Sequence, residues 1–404
     1  MIEEETGIRE SVKGVNMDVI TWRRHLHENP ELSFQETKTS QYVYDILQSF
    51  GNLELSRPTQ TSVMARLIGA KPGRVLALRA DMDALPILEE TNLPFASKNF
   101  GVMHACGHDA HTAILLGAAK VLTNLKKQIH GEIRFLFQHA EELIPGGAQE
   151  MVSAGVLGGV DAVLGLHVSS QVPTGLIGIN DGPILASMDA FKIVIQGQGG
   201  HASTPHQCKD PVAVAAQLIT GINHIVSRKI DSAARAVISV TQMQGSDAPN
   251  IIPDKASIGG TVRTFDPDIR EQIPQWIEQY AKGLTEANEC SYEMDYLRGH
   301  SAVINDHQFT SFVKKNINRT FGDERRYLLK PIMGSEDFSA FSNVVPGCFV
   351  FLGAGSINNE ENYPHHHPKF MINEQALESG VELFVTTALD FSRAKDPETN
   401  NSAR

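Results

Sequence analysis

Nine consecutive residues, Met103 to His111, hold three histidines, one cysteine and one aspartate, and a helical run of small and apolar residues (about 110–125) follows at once. A second polar group, His139-Ala140-Glu141-Glu142, comes directly after an apolar, β-rich run. These are metal-ligand residue types, and the second group sets a spare carboxylate beside a candidate ligand, the pairing that a metal-activated hydrolase needs. The fold must therefore bring donors that are distant in sequence to one point, or the clusters are a coincidence of polar residues.

Bulk composition narrows the partners. The chain has 404 residues, enough for two or three domains, with 41% hydrophobic and 20% charged residues, as in an ordinary globular protein. A formal charge of −12 makes nucleic acid and anionic membrane poor partners. The acidic amino terminus lacks the apolar core of a signal peptide, and no apolar stretch approaches the ~18 residues of a membrane span. Cys106, Cys208, Cys290 and Cys348 have no framework spacing, so they are expected to be reduced thiols and the compartment to be cytoplasmic.

Periodicity places the clusters. Helical pattern covers 16–26, and Ser33 with Glu36 has the spacing of a capping box for a helix running to Phe50. Strands are expected at 62–68, 74–79, 132–138 and 161–166. Asp81, Glu141-Glu142 and His167 then fall just past the carboxyl ends of three strands, the edge where open α/β sheets bind ligands. After Gly182-Pro183 the order becomes strand 190–196, helix 211–229, strands 235–243 and 255–264, helix 267–288, strand 290–296, a ferredoxin-like βαββαβ unit. The expected architecture is an α/β catalytic domain, a mixed sheet flanked by helices, formed by 1–181 and 297–404 and interrupted by an α+β insert at 182–296. A helix from Asp306, a strand at 348–352, a final amphipathic helix at 374–391 and a frayed polar tail complete it.

Amide hydrolysis at neutral pH needs an activated water, an electrophile on the carbonyl and a proton shuttle, and a divalent ion supplies the first two. Cys106 and His108 lie two apart, so on a loop both can face one point. Glu141 and Glu142 can serve one site only if the backbone turns at the pair, because neighbours in extended chain point apart. Each residue alone has a plainer reading: Cys106 as a small buried hydrophobe, Asp81 as a turn cap, His201 as a loop residue beside Gly199-Gly200, His365-His366-His367 as an exposed run. Donors recurring at successive strand ends weaken those readings jointly, and there are more of them than one ion needs, which favours two.

Seven segments strengthen this. Arg24 to Leu32 (RHLHENPEL), Arg79 to Pro86 (RADMDALP), Met103 to Ala113 (MHACGHDAHTA), Gly165-Leu166-His167, Gly199-Gly200-His201-Ala202, Gly334 to Phe338 (GSEDF) and His366-His367-Pro368 occur in that order. Together they resemble the amidohydrolase branch of the aminoacylase and carboxypeptidase-G metallopeptidase family, over nearly the whole chain. The resemblance implies Cys106, His108, Glu142, His167 and His366 as metal ligands, with Cys106 bridging. It implies Glu141 as general base and Asp81 as the group that orients a ligand imidazole. His201, in the insert, is implied to stabilise the oxyanion across a subunit boundary, which makes the insert a lid and dimerisation domain and the protein a homodimer. Asn250 and Arg263 would hold the substrate carboxylate, for which a guanidinium fork is suited. The implied reaction is metal-dependent hydrolysis of N-acyl-L-amino acids, with dipeptidase or carboxypeptidase action at the same site as the alternative. The cofactor is expected to be two divalent ions per subunit, with zinc, manganese, cobalt and nickel all compatible with the donors. One departure is His139, where the branch usually has proline.

Overall fold

The computed structural model describes residues 2–356 and 362–394; the tail beyond 394, expected to fray, lies outside the described residues. The chain divides into two compact units, one of Met1–Ile184, Ile304–Lys330 and Asp337–Arg404, the other of Leu185–Val303 and Pro331–Glu336. The sequence expectation set the insert at 182–296. The short stretch Pro331–Glu336 joins the second unit because Ala186 N–H donates to the Ile332 and Gly334 carbonyls.

The first unit opens with α1 (Ile2–Glu28), longer than the 16–26 expected. Gly7 and Gly14 depress its intrinsic propensity, but Ile8, Val12, Val15, Val19 and Leu26 are all buried along one helical stripe, and packing overrides propensity. α2 follows at Thr37–Phe50. Its expected capping box does not form: Glu36 holds the N-cap position without a side-chain cap bond, while Ser33 Oγ donates to Asp83 Oδ2 and the Glu36 carboxylate accepts from Ala140 N–H. Both side chains serve contacts distant in sequence instead of their own helix.

The main sheet has eight strands. β1 (Glu54–Ser56), β2 (Val63–Ile68), β4 (His130–Gln138), β3 (Lys71–Asp81) and β5 (Ala162–Pro173) lie in that spatial order, followed by Gly347–Gly355, Ile177–Ile179 and Arg326–Leu328. The central pairs β3–β4, β3–β5 and β5 with Gly347–Gly355 are parallel, and the flanking β1–β2–β4 ladder is antiparallel. Strand alternation divides the labour. Leu76, Leu78 and Ala80, with Ile133, Phe135, Phe137, Leu164, Leu166 and Val168, join one core with Ile114 and Leu115 of α3 (His108–Asn124) and Val381 and Phe384 of the final helix Gln375–Arg393. Burial of each large side chain here contributes about 1.5–3 kcal/mol. The alternate positions carry the polar groups: Asp81 registers with Gln138, and Arg79 with Gly165, which puts His167 on the same face. The strand expected to stop at Leu166 runs on to Pro173, because Gly347–Gly355 continues to pair with it beyond the end of the β3–β5 ladder.

The second unit is an antiparallel sheet in the order Ala236–Gln244, Lys255–Thr264, Asp189–Gln196, Ser291–Arg298. This is the split βαβ order. Helices Pro211–Arg228 and Pro267–Ala287 supply Leu218, Ile222, Ile225, Ile273 and Ile277 to a core with Ile193, Ile195 and Ile258. Each of these helices starts with Asp-Pro: the Asp210 and Asp266 carboxylates accept from the first free amides, and proline takes the position where no N–H is needed.

Candidate metal centre

The nine-residue cluster folds as a loop that enters α3. Gly107 is the N-cap with φ 94°, and a methyl group added there would overlap Val168 Cγ2. Only glycine fits between Cys106 and His108. The first helical turn then carries His108 and His111, both fully buried. At the other end of the chain, His366 N–H donates to the Ala105 carbonyl with His366 at φ 65°, which seats the terminal histidine run against the cluster.

Two imidazoles have their protons assigned by their neighbours. His108 Nδ1 lies 2.9 Å from the Asp83 carbonyl oxygen and 3.2 Å from Asp83 Oδ1, and His167 Nδ1 lies 2.7 Å from the Val168 carbonyl oxygen. Both Nδ1 atoms must donate, so Nε2 carries the lone pair in each ring when that ring is neutral. His167 Nε2 stands 3.5 Å from Cys106 Sγ, and His366 Nε2 stands 3.2 Å from Glu142 Oε1. Buried His108 Nε2 has no hydrogen-bond partner. Donor atoms of Cys106, His108 and His167 lie within 4.8 Å of one another; so do those of Cys106, Glu142 and His366, and of His108, Glu141 and Glu142. Cys106 belongs to two of these groups, and so does His108.

Ligand-type atoms thus converge on one spot among buried carboxylates, an arrangement that suits cations. The electrostatics agree. Burial alone would lower the His108 pKa, but Asp81, Asp83 and Glu142 push it up to about 10. Burial, then Glu142, Glu141 and Asp81, push the Cys106 thiol well up, so a thiolate there needs positive charge beside it. The Glu142 hydrogen bond raises His366 against the opposing effect of burial. The residues present therefore fit divalent ions.

The carboxylates behind the donors are divided by role. Asp83 faces His108, and its Oδ2 also accepts from Ser33 Oγ and from Glu142 N–H at 3.0 Å. Asp81, the orienting group expected from sequence, lies 3.7 Å from His108 Nε2 and makes its short contacts elsewhere: Oδ1 with His111 Nδ1 at 2.6 Å and Oδ2 with Arg79 Nη1 at 2.7 Å. His111 Nε2 accepts from Val168 N–H, so His111 braces the strand that carries His167. Burial would raise Asp81, but Arg79, His108 and His111 hold it well below the ordinary carboxylate range. Asp83 was not singled out from sequence, although it stands two residues from Asp81, on the far side of the strand end. His365 places Nε2 3.0 Å from the Val168 carbonyl and its ring edge-on to His167.

The Glu141-Glu142 pair follows β4 through a turn at Ala140, φ 48°. Ala140 N–H donates to Glu36 Oε1 at 2.8 Å, and Gly147 N–H donates to the Ala140 carbonyl at 2.9 Å. Glu141 is nearly buried, at 8% exposure. His139 is pinned by Glu150 Oε2 at 3.0 Å and Thr59 Oγ1 at 3.3 Å, with Phe34 edge-on.

The remaining candidates belong to the second unit. His201 pairs with Ile251 in a short exposed ladder, and Ala202 N–H donates to the Asn250 carbonyl, so these two share one edge. Ser203 N–H donates to His201 Nδ1, which leaves the proton of a neutral ring on Nε2. Arg263 lies on Lys255–Thr264, where Nη1 donates to the Met333 carbonyl at 2.7 Å.

The chain is similar to known proteins over most of its length. The chain is 59% identical over 305 residues to an N-acyl-L-amino acid amidohydrolase of Geobacillus stearothermophilus, across 76% of this chain and 82% of that protein. It is 41% identical over 378 residues to an N-acetylcysteine deacetylase of Bacillus subtilis, across 93% and 97%. The crystal structure of the Bacillus subtilis YXEP protein, a dinuclear metal binding peptidase from the M20 family, superposes with a TM-score of 0.83 at 36% identity, covering 95% of this chain and 99% of that one. The model of peptidase family M20/M25/M40 matches residues 77–390. The chain belongs to that family.

Proposed function

We propose that this protein hydrolyses the amide bond of N-acyl-L-amino acids to a carboxylate and a free amino acid, with two divalent ions held by Cys106, His108, Glu142, His167 and His366. The observation that carries the reading is the convergence of ligand-type atoms beside Glu141, with His108 Nε2 lacking any hydrogen-bond partner. The identities of the Geobacillus and Bacillus relatives support the substrate class. Divalent ions there supply an electrophile for the scissile carbonyl and a nucleophilic water at neutral pH.

The chain's own residues do the rest. Glu141 takes a proton from the attacking water and delivers it to the departing amine nitrogen. Asp83 fixes the His108 ring and, through Glu142 N–H, the backbone between the two glutamates. His201 offers Nε2–H to the oxygen that gains charge, and Asn250 and Arg263 bind the substrate carboxylate. In this reading the second unit is a lid and dimerisation domain, the active form is a homodimer and the compartment is the cytoplasm. Among the described residues no helix is long and apolar enough to cross a membrane.

The test is a panel of acetyl-, benzoyl- and indole-acetyl-amino acids against dipeptides, read by free-amine release after reconstitution with each candidate metal. Faster turnover of dipeptides would favour the peptidase reading, which the M20 peptidase from Bacillus subtilis supports. Glu141→Ala should lower kcat roughly a hundredfold or more with metal still bound. Full activity in that variant would remove Glu141 as the base.

A further inference from the structure

We infer that Glu36, some hundred residues from the catalytic pair in sequence, is the positioning residue that holds the turn by which Glu141 and Glu142 leave β4 and enter the site. The inference rests on the reading of Glu141 as base. Its root is a stereochemical conflict. Neighbouring side chains on extended backbone point to opposite sides. Yet Glu141 and Glu142 both bring an oxygen within 4.8 Å of a His108 ring nitrogen and of each other. The backbone bends through the pair itself, and at Ala140, the residue before it, φ 48° turns both glutamates as a unit off the β4 direction. A residue with a Cβ avoids that region unless its surroundings impose it.

Glu36 holds Ala140 there through its N–H, while Gly147 N–H holds its carbonyl. The Glu36 side chain is wholly buried, and Oε1 accepts from Ala140 N–H at 2.8 Å. The same oxygen accepts at 2.9 Å from the N–H of Phe34, also left-handed at φ 64°, and Oε2 accepts from Thr61 Oγ1 at 2.9 Å. One carboxylate oxygen therefore ties two left-handed residues together across a hundred positions of sequence. Glu36 sits at the start of α2 yet makes no cap bond there, so its carboxylate is spent on this junction. Ionised acceptors make the strongest such bonds, and a buried carboxylate with no helix to cap needs another reason to be there. Glu142 N–H has its own acceptor in Asp83 Oδ2, and Glu141 follows directly on the turn that Glu36 holds.

Kinetics on metal-loaded enzyme with an N-acetyl-amino acid test this. Glu36→Ala should lower kcat by roughly tenfold to a hundredfold, the scale for a misplaced catalytic group, with KM and the number of bound ions unchanged. Glu36→Gln, which can keep Oε1 on both amides and turn its NH2 toward the Thr61 hydroxyl, should retain most of kcat. Adding Ala140→Gly to Glu36→Ala should restore part of it, since glycine adopts φ 48° unaided. In a Glu141→Ala background, Glu36→Ala should cost nothing further. Should Glu36→Ala not fold, Glu36→Asp carries the same test, because it keeps the charge but falls a methylene short of the two amides. An unchanged kcat in Glu36→Ala, or an equal loss with and without Glu141, would overturn the inference. A Glu141→Ala enzyme of full activity would instead overturn the base assignment, a separate failure visible before Glu36 is touched.

Discussion

Replacing Asp83 by asparagine separates the two aspartates at the end of β3. Asp83 Oδ1 faces His108 Nδ1–H at 3.2 Å, and Oδ2 accepts Glu142 N–H at 3.0 Å. An amide at this position has only one oxygen, so its NH2 must oppose either the His108 donor or the Glu142 donor. A buried donor left unsatisfied costs about 1–3 kcal/mol. The Asp83 carbonyl still holds His108 Nδ1, which keeps the ring in place and puts the loss toward the lower end of that range. At about 1.4 kcal/mol per factor of ten, Asp83→Asn should weaken metal binding roughly fivefold to tenfold. Asp81→Asn acts differently. It strips a charged partner from Arg79, which is wholly buried and also pairs with Asp337, so metal-free stability should fall by about 3 kcal/mol. The assay is competition for metal against a chelating fluorophore, alongside urea unfolding of the metal-free proteins. Wild-type metal affinity in Asp83→Asn with weakened affinity in Asp81→Asn would refute the assignment and restore the order expected from sequence.

Gly107→Ala adds a methyl group at φ 94° against buried Val168, so it should destabilise the protein by on the order of 2 kcal/mol and lower bound metal; a variant with normal unfolding and full metal content would show that the loop has room. The junction of α1 with the final helix should be acid-sensitive. Burial would raise Glu374, but its bonds to Arg24 and Arg23 outweigh that and lower it. A lowered carboxylate stabilises fully above its ordinary value of 4.5 and loses the contribution as pH falls through the folded-state value, so Glu374→Gln should lower the unfolding midpoint at pH 7 and make little difference in strong acid. The opposite pattern would mean that the ion pairs do not stabilise the fold. Cys348, in the core with its thiol pushed up to about 12 by burial, should resist alkylation in the native protein and react only on unfolding.

What the sequence disclosed follows physical reach. Strands β2 to β5 and the βαββαβ order of the insert were legible because alternation and periodicity are local, and Asp210 and Asp266 announce their helices through neighbouring amides. The candidate ligands were legible as residue types and then as motifs. Contacts between distant segments were not. Ser33 and Glu36 have capping-box spacing, and nothing local says that their side chains turn to Asp83 and Ala140. Asp81 and Asp83 look alike in sequence, and the strand end decides which meets His108. α1 was read short because its glycines hide a stripe that only packing reveals.

Elemental analysis of reconstituted, desalted protein tests the central claim most directly. Two divalent ions per chain are expected in the wild type and in Glu141→Ala, and fewer in Cys106→Ala, whose thiol is common to two of the donor groups. One ion or none in the wild type, or two retained without Cys106, would contradict it.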